Sequence, residues 1–560
     1  MPEASVPASA PVLPPRYYLD NFRRLRAAVE QRYGDLLMPA EQSLLARFDT
    51  LPEPAQCLYL RLASRVGPWF RSSRLRYVEI GEPGPALDAL VAAGLAEDLA
   101  TLSLETLARL FTRAEIAALY GCDLAGAARL SKSALLAAVA GLDGSDEARW
   151  RRLCERAPER ISAPLGLSLL ELLQLLFFGN RRQGLVDFVL SDLGIARYWP
   201  YALDRETRLF PDREAVEEYR AVAELAERYW LWCKATDRDG LAPLAEAALA
   251  LSLRHGPARR RCWRLYNRLG RACERQGLTA LALSLYERSE RHPARERRAR
   301  VLERLGREAE ALAAVEALLA APWCEDEAAA AGRMARRLRQ RLRGERQRRP
   351  RDRFATAALT VPAGERGIER ATAAQLAARD GLTVRYVENA LLPGLFGLAF
   401  WEELFAPVPG AFHHPYQAGP ADSFSGDFRR RRAALLAARF RILAGADLEE
   451  ELGRAWQRYR GYQCHWVDWR RLDEALVRQA ARCIPFAHLA GVWERLLFDP
   501  AQNRRGFPDL VALGESCGDY RLYEVKGPGD ALAEHQRRWL NHLADLGAPV
   551  AVLQVSWDRA

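Results

Sequence analysis

Asp509, Glu524 and Lys526 are the residues whose types and spacing could do chemistry. They lie in residues 507–530, FPDLVALGESCGDYRLYEVKGPGD, where two short apolar runs, Leu510 to Leu513 and Arg521 to Val525, flank a turn from Gly514 to Gly518. The pattern predicts a β-hairpin. Residues two apart on a strand share a face, so Glu524 and Lys526 point the same way while Val525 points into the opposite layer. Asp509 stands where the first strand begins. Two carboxylates and a lysine are thus expected to converge at a sheet edge, able to hold a divalent cation and position a water beside it. Lysine is scarce in this chain: only Lys132, Lys234 and Lys526 occur, against 82 Lys plus Arg. By composition, three lysines find an acidic residue two positions earlier only about 0.4 times by chance. The plain alternative is a surface strand with a solvated ion pair; the GPGD turn that follows, and His535-Gln536 beyond it, favour the chemical reading.

Pro508-Asp509, then Glu524-Val525-Lys526-Gly527-Pro528-Gly529-Asp530, then Gln536 and Trp539, resemble the nuclease motif of the virus-type replication-repair (VRR) nucleases, a branch of the PD-(D/E)xK superfamily. More closely, the chain is similar to the Fanconi-associated nucleases, structure-specific DNA repair enzymes. That similarity rests also on Tyr386-Val387-Glu388, on Leu395-Phe396-Gly397-Leu398-Ala399-Phe400-Trp401, on Tyr416-Gln417 with Asp422, and on Gly506-Phe507-Pro508-Asp509-Leu510. It is strong over residues 384–560 and traceable upstream. The resemblance implies that Glu388, Asp509 and Glu524 ligate Mg²⁺ or Mn²⁺, with the Val525 carbonyl as a further ligand. It implies that Lys526 orients the attacking water and stabilises the pentacovalent phosphate, and that Gln536 is a supporting polar residue. The implied activity is metal-dependent 5′-flap endonuclease and 5′-to-3′ exonuclease cleavage in interstrand crosslink repair, with branched and duplex DNA as partners. A four-way-junction resolvase and a non-catalytic DNA-binding repeat scaffold remain open as alternatives. Eukaryotic members carry an N-terminal ubiquitin-binding zinc finger; with no Cys before Cys57 and no His before His255, that module is expected to be absent here.

The site needs a scaffold, and the chain reads as multidomain, mainly α-helical, followed by a C-terminal α/β nuclease domain over residues 354–560. That domain is expected to open with a helix from Ala371 to Asp380 and a second from Leu382 to Leu392 that carries Glu388 and stops at Pro393. Upstream, residues 1–15 read as a flexible lead-in and not a signal peptide. Residues 16–100 are helical and winged-helix-like, with a strand from Arg74 to Ile80. Residues 101–160 suggest a SAP-like helical pair in which Ser131 caps a helix beginning with Lys132. Residues 161–353 contain a TPR-like repeat in which Gly277 matches Gly306, Ala282 matches Ala311 and Tyr286 matches Val315. A dense basic run, Arg333 to Arg353, closes that region and is expected to meet phosphates.

Composition sets the outer bounds. A net charge of +10 over 560 residues attracts polyanions without distinguishing DNA, RNA or anionic lipid. No apolar run reaches the roughly 18 residues of a membrane span: the longest candidate, Leu165 to Phe178, is broken by Ser168, Glu171 and Gln174. No membrane partner is expected. Ten cysteines without any CxxC pair suit reduced thiols in an intracellular protein better than structural zinc or disulfides. His413-His414 and Cys464-His465 lack partners at zinc-finger spacing and read as packing or substrate contacts. The expected location is cytoplasmic and nucleoid-associated if the chain is bacterial, as its composition suggests; eukaryotic family members are nuclear.

Overall fold

Residues 14–180, 183, 196–235, 239–345, 351–362 and 367–558 are described by the computed structural model. Most of the expected lead-in, residues 1–13, lies outside them, as does part of the basic run, residues 346–350. The chain divides into two units, Met1–Ile195 and Ala196–Ala560.

In the first unit, helices Tyr17–Tyr33, Pro39–Asp49, Glu53–Ala63 and Pro83–Ala92 surround a small antiparallel sheet. Its strands are β1 (Phe70–Arg71), β2 (Ala96–Asp98) and β3 (Ile161–Pro164), with β3 in the middle. The strand expected from Arg74 to Ile80 does not form. The Glu159 carboxylate accepts the Ser73 backbone N–H at 3.0 Å and the Ser73 hydroxyl at 2.7 Å, and also holds Arg71. Those bonds bend the chain into a 3₁₀ turn at Ser72–Arg74 and remove a donor that a strand would have paired. Between β2 and β3 run the helices Leu104–Leu110, Arg113–Tyr120, Lys132–Leu142 and Asp146–Arg156, each capped by a hydroxyl, from Ser103, Thr112, Ser131 and Ser145.

The second unit begins with helical hairpins. Gly277 and Gly306 adopt the left-handed conformation (φ 76° and 75°) at equivalent turns, which a side chain there would strain. Ala282 and Ala311 are fully buried where the helices cross, as the repeat predicts. Part of the basic run makes ion pairs within the chain. Within helix Glu325–Arg343, Arg337 pairs with Glu303, Arg339 with Glu316 at 2.9 Å, and Arg341 with Glu308 at 2.6 Å. These three charges are directed at glutamates of the repeat, while Arg353, past the helix, pairs with Asp545 at 2.6 Å.

The nuclease sheet has five strands in the order β4-β8-β7-β6-β5: β4 (Ala355–Pro362), β5 (Thr383–Tyr386), β6 (Leu510–Leu513), β7 (Tyr520–Lys526) and β8 (Val550–Asp558). The β6–β7 hairpin is antiparallel, with Leu510 opposite Tyr523; β8 lies parallel to both β7 and β4. Alternation along each strand gives two cores. Leu510, Ala512, Tyr523, Val525, Leu553 and Val555 meet helix Ile368–Asp380 on one face. Val511, Leu513, Leu522, Val550 and Val552 meet Leu476, Val492, Trp493 and Trp539 from three helices on the other.

A segment that the sequence assigns to the repeat region in fact belongs to the nuclease core. Trp199 packs edge-on against Tyr459 at 5.1 Å, Tyr462 at 5.0 Å and Trp401 at 5.9 Å, and Tyr201 stacks on Phe412 at 3.9 Å. The Tyr201 hydroxyl donates to the His414 backbone carbonyl at 2.7 Å and accepts the Gln417 N–H at 2.8 Å. Since Trp199 is only partly buried, Trp199→Ala is expected to cost about 2 kcal/mol, below the ~3–5 of a fully buried tryptophan. Urea unfolding followed through the second unit measures it, and an unchanged midpoint would show that the segment merely rests on the core.

Candidate active site

Strand β7 is central in the sheet, so its C-terminal end, the N-terminal end of the antiparallel β6 and the C-terminal end of β5 all reach the same rim. The groups therefore converge at the ends of the interior strands β6 and β7 and not along a lateral sheet edge. Asp509 is the residue before β6, and its Oδ2 accepts the Val525 N–H at 2.8 Å. Glu524 and Lys526 share a face of β7, with Nζ 2.7 Å from Glu524 Oε1. Gln536, in the first turn of helix Glu534–Asp545, donates to the same Oε1 at 2.5 Å and accepts the Ala533 N–H at its helix start. Glu524 is 0 % exposed and Asp509 and Lys526 8 %. Glu524 Oε2 is buried with no hydrogen-bond partner among the described residues. A buried carboxylate oxygen left unpaired is costly unless something cationic completes it.

The electrostatics point the same way. Burial, helped by the Asp509 and Glu388 charges and opposed by Lys526, raises the Glu524 carboxyl to about 7. Asp509 is raised to about 6, mainly by burial, with the Val525 N–H and Lys526 opposing and Glu388 and Glu369 adding to the rise. Two carboxyls held near neutrality and one orphan oxygen fit a hard divalent cation. Among the described residues no three carboxylate, imidazole or thiol groups are already gathered as a metal cluster.

Glu388 is placed differently from expectation. Residues 383–386 form β5, and Glu388 lies in the turn that follows, not on a helix. Strand β5 pairs with β6 from Thr383 opposite Leu513 to Tyr386 opposite Leu510, and Val387 N–H extends the ladder to the Asp509 carbonyl at 2.8 Å. The next helix is Leu391–Ala399, and Pro393 lies in its first turn, where its missing N–H leaves no bond unmade. Glu388 accepts bonds from the Tyr386 hydroxyl and, at 3.1 Å, from Asn389 Nδ2. A fourth carboxylate, Glu369, occupies the first turn of helix Ile368–Asp380 and acts on Asp509 through its charge. Starting that helix at Ala371 hides it in the sequence.

The match to known families follows this geometry. The VRR-NUC domain model matches residues 445–557, so β4, β5 and Glu388 lie ahead of the matched span, and the FAN1 HTH domain model matches residues 16–97. A Fanconi-associated nuclease 1 homolog of Pseudomonas aeruginosa is 37% identical, covering 99% of this chain and 98% of that protein. The chain belongs to the Fanconi-associated nuclease family. A homolog from Oryza sativa subsp. japonica is 25% identical over 96% of this chain and 62% of its own length. A crystal structure of paFAN1 bound to 5′-flap DNA with a two-nucleotide flap and a gap superposes with a TM-score of 0.79 at 36% identity, covering 98% of this chain and 100% of that one. As a Fanconi-associated nuclease the chain is a structure-specific nuclease, and its VRR-NUC domain depends on a divalent metal. No described helix is long and apolar enough to cross a membrane.

The raised carboxyls give a pH dependence with a definite sign. Lowering pH from 8 to 6 adds protons to the Glu524–Asp509 pair, so protons compete with a cation for the same oxygens. The half-saturating Mn²⁺ concentration for cleavage is therefore expected to rise by up to about tenfold per pH unit for each proton displaced. Metal titrations at pH 8, 7 and 6 check this, and a pH-independent midpoint would contradict it.

Proposed function

We propose that this chain cleaves 5′-flap DNA endonucleolytically and trims 5′ to 3′ in interstrand crosslink repair, with Asp509, Glu524 and Glu388 holding Mg²⁺ or Mn²⁺ and Lys526 serving the reacting phosphate. The observation that carries the reading is the buried, unpaired Oε2 of Glu524 beside Asp509 and Lys526. When bound, a divalent cation supplies charge that acidifies a water and neutralises the departing oxygen. The protein's own groups do the rest. Gln536 and Lys526 fix one oxygen of Glu524 and so aim the other. Val525 contributes its N–H to Asp509, and its carbonyl is a candidate further ligand. The Lys526 ammonium carries three donors, enough to keep Glu524 while reaching a water or a phosphoryl oxygen. The relative solved with 5′-flap DNA supports the substrate class.

The test is incubation of the full chain with labelled 5′-flap, 3′-flap, four-way-junction and linear DNA in Mg²⁺, Mn²⁺ or EDTA. The expected result is metal-dependent cutting fastest on the 5′ flap. Faster cutting of the junction would make the protein a resolvase, and binding without cutting would make it a scaffold. Because the β6–β7 hairpin offers no means of reading DNA shape, residues 196–560 alone are expected to lose preference for flaps over linear ends; retention of full preference would place the shape reading in the second unit.

A further inference from the structure

Asn389 is the only non-glycine residue among the described residues with a positive φ, 52°. The left-handed conformation costs an L-residue about 1 kcal/mol or more, least for asparagine and aspartate, so it persists where surrounding bonds demand it. The bonds here are specific. Asn389 Oδ1 accepts the Gly506 N–H at 2.8 Å and the Phe507 N–H at 3.4 Å, while Nδ2 donates to Glu388 Oε1 at 3.1 Å.

These contacts join the pieces that supply the site. The β5–β6 ladder ends with the Val387 N–H on the Asp509 carbonyl. Beyond it no strand remains to hold the approach to Asp509, and the Asn389 side chain takes over the pairing at Gly506 and Phe507. Gly506, at φ 91°, is pressed against the helix that carries Gln536: a Cβ there would lie 2.6 Å from His535 Cδ2 and 3.0 Å from the His535 carbonyl carbon. One side chain thus ties the turn bearing Glu388 to the segment leading into Asp509, and that segment packs at Gly506 against the start of the Gln536 helix. It also satisfies one Glu388 oxygen. Only an amide does both, since glycine keeps the backbone conformation but makes neither bond, and aspartate keeps the acceptor but loses the donor.

We propose that Asn389 is a positioning residue that fixes Glu388 relative to Asp509 and so sets the affinity of the site for its divalent cation. The proposal rests on the reading of those carboxylates as metal ligands. Residues that orient ligands typically change metal affinity about 10–100-fold when removed.

The experiment uses the full chain as wild type, Asn389→Gly, Asn389→Asp, Asp509→Asn and Glu524→Gln. Mn²⁺ binding is measured by calorimetry without DNA, cleavage rate by Mn²⁺ titration, and amide exchange at Gly506 by mass spectrometry or NMR. Asn389→Gly is expected to weaken Mn²⁺ binding at least about tenfold, to speed exchange at Gly506, and to regain most of its rate at saturating Mn²⁺. Asn389→Asp keeps the Gly506 protection, because the acceptor remains. Wild-type Mn²⁺ affinity in Asn389→Gly, or a loss of rate that excess Mn²⁺ does not restore, overturns the proposal. If Asp509→Asn and Glu524→Gln also bind Mn²⁺ like wild type, the metal-ligand reading itself has failed; if they lose binding while Asn389→Gly does not, only the role of Asn389 falls.

Discussion

Full-length Glu524→Gln and Asp509→Asn proteins are expected to lose at least about a thousandfold in single-turnover cleavage of a 5′ flap, the equivalent of about 4 kcal/mol of transition-state stabilisation, since charge held at a phosphodiester is worth several kcal/mol. Both changes conserve shape. In Glu524→Gln the new amide would still occupy the pocket between Lys526 and Gln536, and in Asp509→Asn the amide oxygen would still accept the Val525 N–H, so the lost quantity is negative charge and not packing. Because burial already raises both carboxyls, neutralising either one relieves repulsion in the metal-free protein. Thermal stability without metal is therefore expected to hold or rise at pH 8, while the gain from added Mn²⁺ disappears. Flap affinity should change little, because phosphate contacts elsewhere carry most of it. Residual cutting above a few per cent of wild type in the double variant would remove these residues from the reaction.

Lys526 separates charge from geometry. Lys526→Ala leaves Glu524 without its cation in a buried site and is expected to cost about a hundredfold in rate, roughly 2.7 kcal/mol. Lys526→Arg keeps the charge, yet its planar fork prefers bidentate pairing with carboxylates. With Glu524 Oε1 at 2.7 Å from Nζ and Oε2 unpartnered, the guanidinium would take both oxygens and displace the cation, lowering the rate at least about tenfold. Single-turnover rates at saturating Mn²⁺ measure both. An arginine variant cutting at the wild-type rate would reduce Lys526 to a counter-charge.

The hairpin is legible in the sequence because period-two alternation and a glycine-flanked turn are local signals, and they place Asp509, Glu524 and Lys526 together correctly. Its position in the sheet is not: β7 becomes central only through parallel pairing with β8, which itself pairs with β4 from nearly two hundred residues earlier, and no local pattern reports such a partner. Glu388 is legible by motif, but its element is not, because TVRYVENALL carries apolar residues at spacings a helix could also use, and Pro393 reads as a stop when it sits in a first turn. Trp199 and Tyr201 give no signal at all; aromatic residues ahead of a helical repeat reveal nothing of the ring cluster they complete. Asn389 is likewise silent in sequence, since its role lies in a backbone angle and three bonds. The basic run shows the reverse case, a loud signal in which Arg337, Arg339 and Arg341 are paired with neighbouring glutamates.

Anomalous scattering from crystals of the full chain grown with Mn²⁺ tests the central claim most directly. The account requires a manganese peak between Asp509 and Glu524, with carboxylate oxygens at about 2.0–2.3 Å, one of them Glu524 Oε2, and Glu388 facing it from the turn after β5. A peak elsewhere in the chain, or none at these carboxylates at a metal concentration that supports cleavage, would contradict it.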